Sequence, residues 1–403
     1  ADLTATVTTL SVEVNRAATD ATVVDYATGK TSRSIKTGPS STLDLTLKAS
    51  DGALLRATGT LKLDVFGFVQ AEGTFGVEKR TNQQIVLGGG ATVAVDELLI
   101  GGGSLTGFVG LNGGQANATG LSLTGVNLGV ALYTERVSSG TARKWTTAQA
   151  TVNAASFTGV ADLTATVTTL SVEVNRAATD ATVVDYATGK TSRSIKTGPS
   201  STLDLTLKAS DGALLRATGT LKLDVFGFVQ AEGTFGVEKR TNQQIVLGGG
   251  ATVAVDELLI GGGSLSGFVG LNGGQANATG LSLTGVNLGL ALYTERVSSG
   301  TARKWTTAQA TVAAASFTGV ADLTATVTTL SVEVNRAATD ATVVDYATGK
   351  TTRSIKTGPS STLDLTLKAS DGALLRATGT LKLRSEEHTS ELQSRFGISY
   401  AVF

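Results

Sequence analysis

Arg143, Lys144 and Trp145 stand side by side, and the same triplet returns as Arg303, Lys304 and Trp305. A basic pair beside an indole can stack on a sugar ring or a base and offset an anion attached to it. These residues are the candidate ligand contacts. The competing and favoured reading lays the indole over a strand face as packing. Asp96-Glu97 is the adjacent acidic pair of the first part of the chain. General acid/base work needs carboxylates set apart in a cleft, so this pair is expected at a solvated strand end. Asp51, Asp64 and Asp96 could offer oxygens to calcium, but the alternating acidic spacing of a calcium loop is missing. "DYATGKTS" at 25–32 ends like a phosphate loop, yet Val24 stands where such a loop needs glycine. Serine and threonine abound, but no histidine precedes His388 to activate one. Asn117-Ala118-Thr119 fits a glycosylation sequon. The expectation is therefore a non-enzymatic chain with no catalytic, cofactor or metal residues.

The elements that carry these residues come in copies. "ADLTATVTTLSVEVNRAATDATVVDYATGK" begins at Ala1, Ala161 and Ala321. The first two copies differ at Thr106/Ser266, Val130/Leu290 and Asn153/Ala313, and the third follows to Leu383 with Thr352 in place of Ser32 and Ser192. The expected organisation is 1–160, 161–320, a truncated copy 321–383, and a foreign tail at 384–403. Faithful tandem copies point to an array that works by length or multivalency. The 403 residues carry 33 basic and 33 acidic groups, so no nucleic-acid partner is expected. Cysteine is absent, which rules out disulfides and thiolate metal sites. Methionine is also absent, position 1 included, and this reads as a start inside a longer frame.

Alternation of period two runs through most of a copy. Leu43, Leu45 and Leu47 share one face, and Asp51-Gly52 supplies a hairpin turn to the next strand. After that turn Leu55, Ala57, Leu61 and Leu63 are expected on the covered side, opposite Arg56, Thr58 and Lys62. The same phase continues to Phe75 and Val77, with a bend at Gly67 or Gly73 and with Phe66 and Phe68 covering a neighbour. Glycine runs at 88–90 and 101–103 read as separators between strands. Phase slips at Thr8-Thr9 and Gly125-Val126 read as β-bulges. "NAASFTGV" runs into "ADLTATVTTL" with no linker, so each copy should cover the open edge of the next. The expected fold is all-β: tandem 160-residue repeats forming an elongated, curled antiparallel meander. Tandem β-sandwich domains are the alternative.

"LSVEVNR", "GVNLGVALYTE" and "ARKWTTAQATVNAASFTGV" resemble segments of very large repetitive bacterial β-proteins. The resemblance implies a secreted or surface-attached setting and adhesin-like or scaffolding roles, and it supplies no catalytic residue. "RSEEHTSELQS" and "ISYAVF" in the tail resemble a sequencing-library adapter translated in one frame, with Arg395, Phe396 and Gly397 spanning the index between them. That resemblance implies that His388, Glu386, Glu387 and Glu391 carry no functional weight, and that the third copy continues past Leu383.

The expected function is a structural or adhesive array, extracellular or on a bacterial cell surface. Its partners would be neighbouring copies and a surface, glycan or protein ligand. A lipid-handling hydrophobic groove is the alternative, and a glycan-active enzyme stands last.

Overall fold

A computed structural model describes residues 3–320, 323–385 and 392–400. The chain is all-β, an antiparallel meander whose helical elements, among the described residues, are single 3₁₀ turns such as Ala49–Asp51. The first copy holds β1 (Leu3–Asn15), β2 (Ser34–Lys36), β3 (Thr42–Asp44), β4 (Leu54–Val65), β5 (Val69–Val86), β6 (Thr92–Leu111), β7 (Thr119–Glu135) and β8 (Lys144–Thr158). The second repeats this order as β9 (Leu163–Arg176), β10 (Ser194–Lys196), β11 (Thr202–Asp204), β12 (Leu214–Val225), β13 (Val229–Val246), β14 (Thr252–Leu271), β15 (Thr279–Glu295) and β16 (Lys304–Thr318). The third supplies β17 (Leu323–Arg336), β18 (Ser354–Lys356), β19 (Thr362–Asp364) and β20 (Leu374–Ser385), followed by β21 (Leu392–Tyr400).

The long strands pair in sequence order; short turns hold most of these neighbours together, and β1 meets β4 across the flap that separates them in sequence. β1 pairs with β4, β4 with β5, and β5 with β6. The two small strands of each copy pair only with each other and form a flap, residues 16–53, 177–213 and 337–373 in the three copies. The expected bulges are present. The β1/β4 register shifts between Thr8 and Ser11, Thr9 has φ 50, and Gly125 has φ 61.

The chain divides into two compact units that cut across the 160-residue period. The first takes described residues up to 115, 123–151 and 173–213; the second takes 116–122, 152–172 and 214 onward. Each unit therefore combines the long strands of one copy with the flap of the next. In the first unit Ile85, Leu87, Val95 and Leu99 on the strands are buried with Val184, Tyr186, Ile195 and Leu205 on the flap. A bridge joins Leu87 to Val184, and Gly88 N–H donates to the Val183 carbonyl at 2.9 Å. In the second unit Ile245, Leu247, Val255 and Leu259 enclose the same core with Val344, Ile355 and Leu365.

Several expectations fail, most of them because of the flap. Asp51-Gly52 does not make a hairpin from the Leu43–Leu47 segment into β4. That segment folds into the flap, a 3₁₀ turn carries the chain out of it, and β4 finds β1 instead. Gly101, Gly102 and Gly103 are not separators but lie buried inside β6. Gly76 and Gly101 pass directly beneath the Lys196 carbonyl, where a Cβ would overlap that oxygen. The residues 66–68 do not bend a continuous strand; they reverse it, with Val65 opposite Val69. Phe66 has φ 54 and Gly67 φ 68, and both phenyl rings are exposed rather than covering a neighbour. The burial of β4 and β5 is also inverted near the flap: Leu55 and Val77 are exposed, while Thr58 and Glu78 are buried. His388, Glu386, Glu387 and Glu391 lie outside the described residues.

Valine at Gly101 and Gly261 tests this arrangement, since overpacking of a close contact costs about 1–3 kcal/mol. The urea midpoint of the double variant should fall accordingly. An unchanged midpoint would mean that the flap does not rest on these glycines.

Candidate functional site

The face of β4, β5 and β6 that lies under the flap carries charge, and antiparallel register sets the order of those charges. Arg56 lies opposite Glu78, and Arg80 opposite Glu97. Arg56 Nη1 donates to Glu13 at 2.9 Å and its Nε to Glu78 at 3.0 Å, while Nη2 reaches Asp51 at 3.2 Å. Arg80 donates to Glu78 and stands 3.9 Å from Glu97 Oε1. The flap closes the series, because Arg193 donates to Glu97 Oε2 at 2.6 Å and to the Gln84 carbonyl at 2.9 Å. The second unit repeats the pattern with Arg240, Glu238, Glu257 and Arg353.

Next to this ladder is a buried hydroxyl cluster. Tyr133 and Tyr186 share a hydrogen bond of 2.9 Å, and Tyr186 shares another of 2.6 Å with Thr147. The Arg193 guanidinium lies 6.0 Å from the centre of the Tyr133 ring. Burial pushes the Tyr133 hydroxyl well above its ordinary value, and pushes Tyr346 in the second unit up to about 12. Burial also pushes the Glu97 carboxyl up, against the pull of the Arg193 and Arg80 guanidiniums. Such perturbed groups often mark reactive centres. Here they are enclosed and directed at one another.

Trp145 is only 1% exposed, and its Nε1–H donates to the Thr182 carbonyl at 3.1 Å. Arg143 lies over the indole at 5.1 Å and donates to Glu135 at 2.6 Å and Asp180 at 2.8 Å. Trp305 and Arg303 repeat these contacts with Thr342, Glu295 and Asp340. This is the packing reading of the triplet; Lys144 and Lys304 alone in it are exposed. The Asp96-Glu97 expectation is corrected. Glu97 is buried under the flap rather than solvated, and Asp96 bonds Arg136 at 2.8 Å. Asp51, Asp64 and Asp96 stand apart, each on its own partners. Among the described residues no group of three or more carboxylate or histidine side chains gathers as a metal cluster would.

A polar groove of about 450 Å³ runs between the first and second flaps, lined by Glu13, Lys48, Asp51, Arg56, Arg80 and Lys196. Arg56 is already engaged with three carboxylates. Of these six charged side chains four are basic and two acidic.

Sequence reasoning missed Glu78, Arg80 and Arg193 as a set. Their opposition could have been read from strand register, but the closing arginine lies 96 residues from Glu97.

Two outcomes test the site. Glu97→Ala with Glu257→Ala leaves Arg193 and Arg353 buried without their carboxylates and should cost about 3–5 kcal/mol per unit in urea unfolding. A loss no larger than that of an exposed substitution would remove the ladder from the account. The second test is acid titration. The Thr182 hydroxyl, with help from Arg143, holds Asp180 down to about 2, below its ordinary 3.8; Thr342 and Arg303 do the same for Asp340. A depressed carboxylate stabilises the fold fully above about pH 4 and loses that contribution as pH falls through about 2. Fluorescence of Trp145 and Trp305 should report a transition in that window, and Asp180→Asn with Asp340→Asn should flatten it.

Comparison of the chain with family models, with curated proteins and with solved structures finds no match.

Proposed function

We propose that the chain is a non-enzymatic structural array, part of a large secreted or surface-attached bacterial protein, whose task is reach and shape. One observation supports this above the rest: the residues able to do chemistry are used to fasten one copy to the next. Arg193 and Tyr186 of the second copy close on Glu97 and Tyr133 of the first, and the third copy repeats the closure on the second. An active centre would hold such groups toward a substrate. Adhesion to a glycan or protein would then fall to exposed positions such as Lys144 or to parts of the array outside these copies. The extracellular, bacterial setting rests on the resemblance of the strand segments and on the cysteine-free composition.

The lipid-handling alternative needs an uninterrupted apolar trough. The groove on β12–β15 carries Lys222, Asp224 and Glu232 among Leu223 and Phe268, which favours the array. Residues 384–403 receive no role in this reading, and sequencing of the locus would decide whether they are adapter-derived.

Small-angle scattering of chains with two, three and four copies tests the proposal. The maximum dimension should rise by an equal step per copy. Collapse into a globule whose size grows only as the cube root of length would overturn it.

A further inference from the structure

The flap sequence occurs three times, but only two flaps have a sheet to lie on. Val184 and Val344 are 0% exposed and Ile195 and Ile355 are 1% exposed, whereas Val24 and Ile35 in the first copy are 47% and 49% exposed. The hydrogen bonds follow the same division. All three equivalent arginines donate to the carbonyl of the residue before them, but Arg193 and Arg353 also donate to Glu97 and Glu257 in the strands below. Thr191 and Thr351 accept or donate against Val86 and Val246 in the strands beneath them.

The first strand shows the same lack. β17 pairs with β20 along one edge and with β16 along the other, from Thr306 opposite Arg336 to Phe317 opposite Ala325. β1 pairs with β4, and its second edge meets no strand among the described residues. Leu3, Leu10 and Val12 on it are exposed. An open edge with an apolar lining is a template for another strand.

We propose that β1 and the first flap together form a docking surface for one occupant, a further copy of the repeat joined directly ahead of Ala1. The complement is known in each part. A strand equivalent to β16 takes the open edge, a glycine floor equivalent to Gly101 takes Ile35, and a carboxylate equivalent to Glu257 takes Arg33. The short Gly159–Asp162 connection between β8 and β9 shows why the occupant belongs to the same chain: the strands are joined too closely for exchange with a distant partner. The surface is asymmetric, flap on one side and sheet on the other, so docking of this kind is head-to-tail, each flap on the sheet of the copy before it. This rests on the array reading and adds the joint by which the array grows.

The absence of cysteine makes the test direct. Ile35→Cys and, as a second reporter, Thr37→Cys are placed singly in the full chain, with Thr197→Cys as the buried reference, since Thr197 is covered and Thr37 is exposed. Labelling by a soluble maleimide should be fast at 35 and 37 and slow at 197. With one further 160-residue copy added ahead of Ala1, labelling at 35 and 37 should slow by about a hundredfold or more, as expected for sites that open only on local unfolding. Valine at the added copy's equivalent of Gly101 should restore fast labelling.

Fast labelling at both reporters in the extended chain overturns the proposal. Slowing that depends on protein concentration in the unextended chain also overturns it, because the occupant would then be a second molecule. Equal scattering steps with fast labelling would refute this joint while leaving the array standing.

Discussion

The constraint on which the rest depends is that a flap from one copy must lie flat on the strands of the copy before it. Flat contact between backbone and backbone needs a floor without side chains, and Gly76 and Gly101 provide it under Lys196. The floor in turn lengthens β6, because the glycine run has to be strand rather than turn. Apolar flap residues then fill the space on either side of the floor, each worth about 1.5–3 kcal/mol when fully removed from water. Ile195, Leu205 and Leu207 are so removed, and with them Val183 and Tyr186. A copy alone cannot make this core, since its own flap is placed over the preceding strands.

That geometry explains which parts of the fold were legible in the sequence. Alternation revealed the strands, and the phase slips at Thr8-Thr9 and Gly125 marked real bulges, because both are properties of neighbouring residues. Alternation states that two faces differ; it does not state which is covered. For β4 and β5 the cover comes from a segment more than a hundred residues later, as the Thr74 bond to the Thr197 carbonyl shows. The covered face there carries Thr58, Glu78 and Arg56, so reading burial from hydrophobicity inverted it. The glycine run at 101–103 misled for the same reason. Glycine at a turn and glycine under a crossing backbone look alike until the crossing segment is known.

The site was legible only in part. Trp145 and Arg143 were singled out by residue type, and their partners Glu135, Asp180 and Thr182 follow from a hairpin and a nearby flap end. The ladder was not legible, because each of its arginines is unremarkable alone. Only the cross-strand register, Arg56 to Glu78 and Arg80 to Glu97, turns scattered charges into an ordered series.

Near-identical copies create a pairing problem that the ladder answers. A one-residue slip of a strand would put every side chain on the wrong face, whereas a two-residue slip keeps the faces, and apolar contacts alone penalise it weakly because Val, Leu and Ala then replace one another. A buried charge without its partner is heavily penalised. Glu97 under Arg193 therefore admits one register of flap on strand. Three of the four positions where copies differ fit this division; nothing in the structure explains the fourth, Val130 and Leu290. Thr106 and Ser266 donate the same bond to a neighbouring carbonyl, Asn153 and Ala313 are exposed, and Ser192 and Thr352 contribute only their carbonyls to the arginine beside them. Variation at these three is found where register does not depend on the side chain, while each rung of the ladder and each glycine of the floor is the same in the copies that contain it. The buried ion pairs decide which segment lies on which, once for each flap that rests on a sheet.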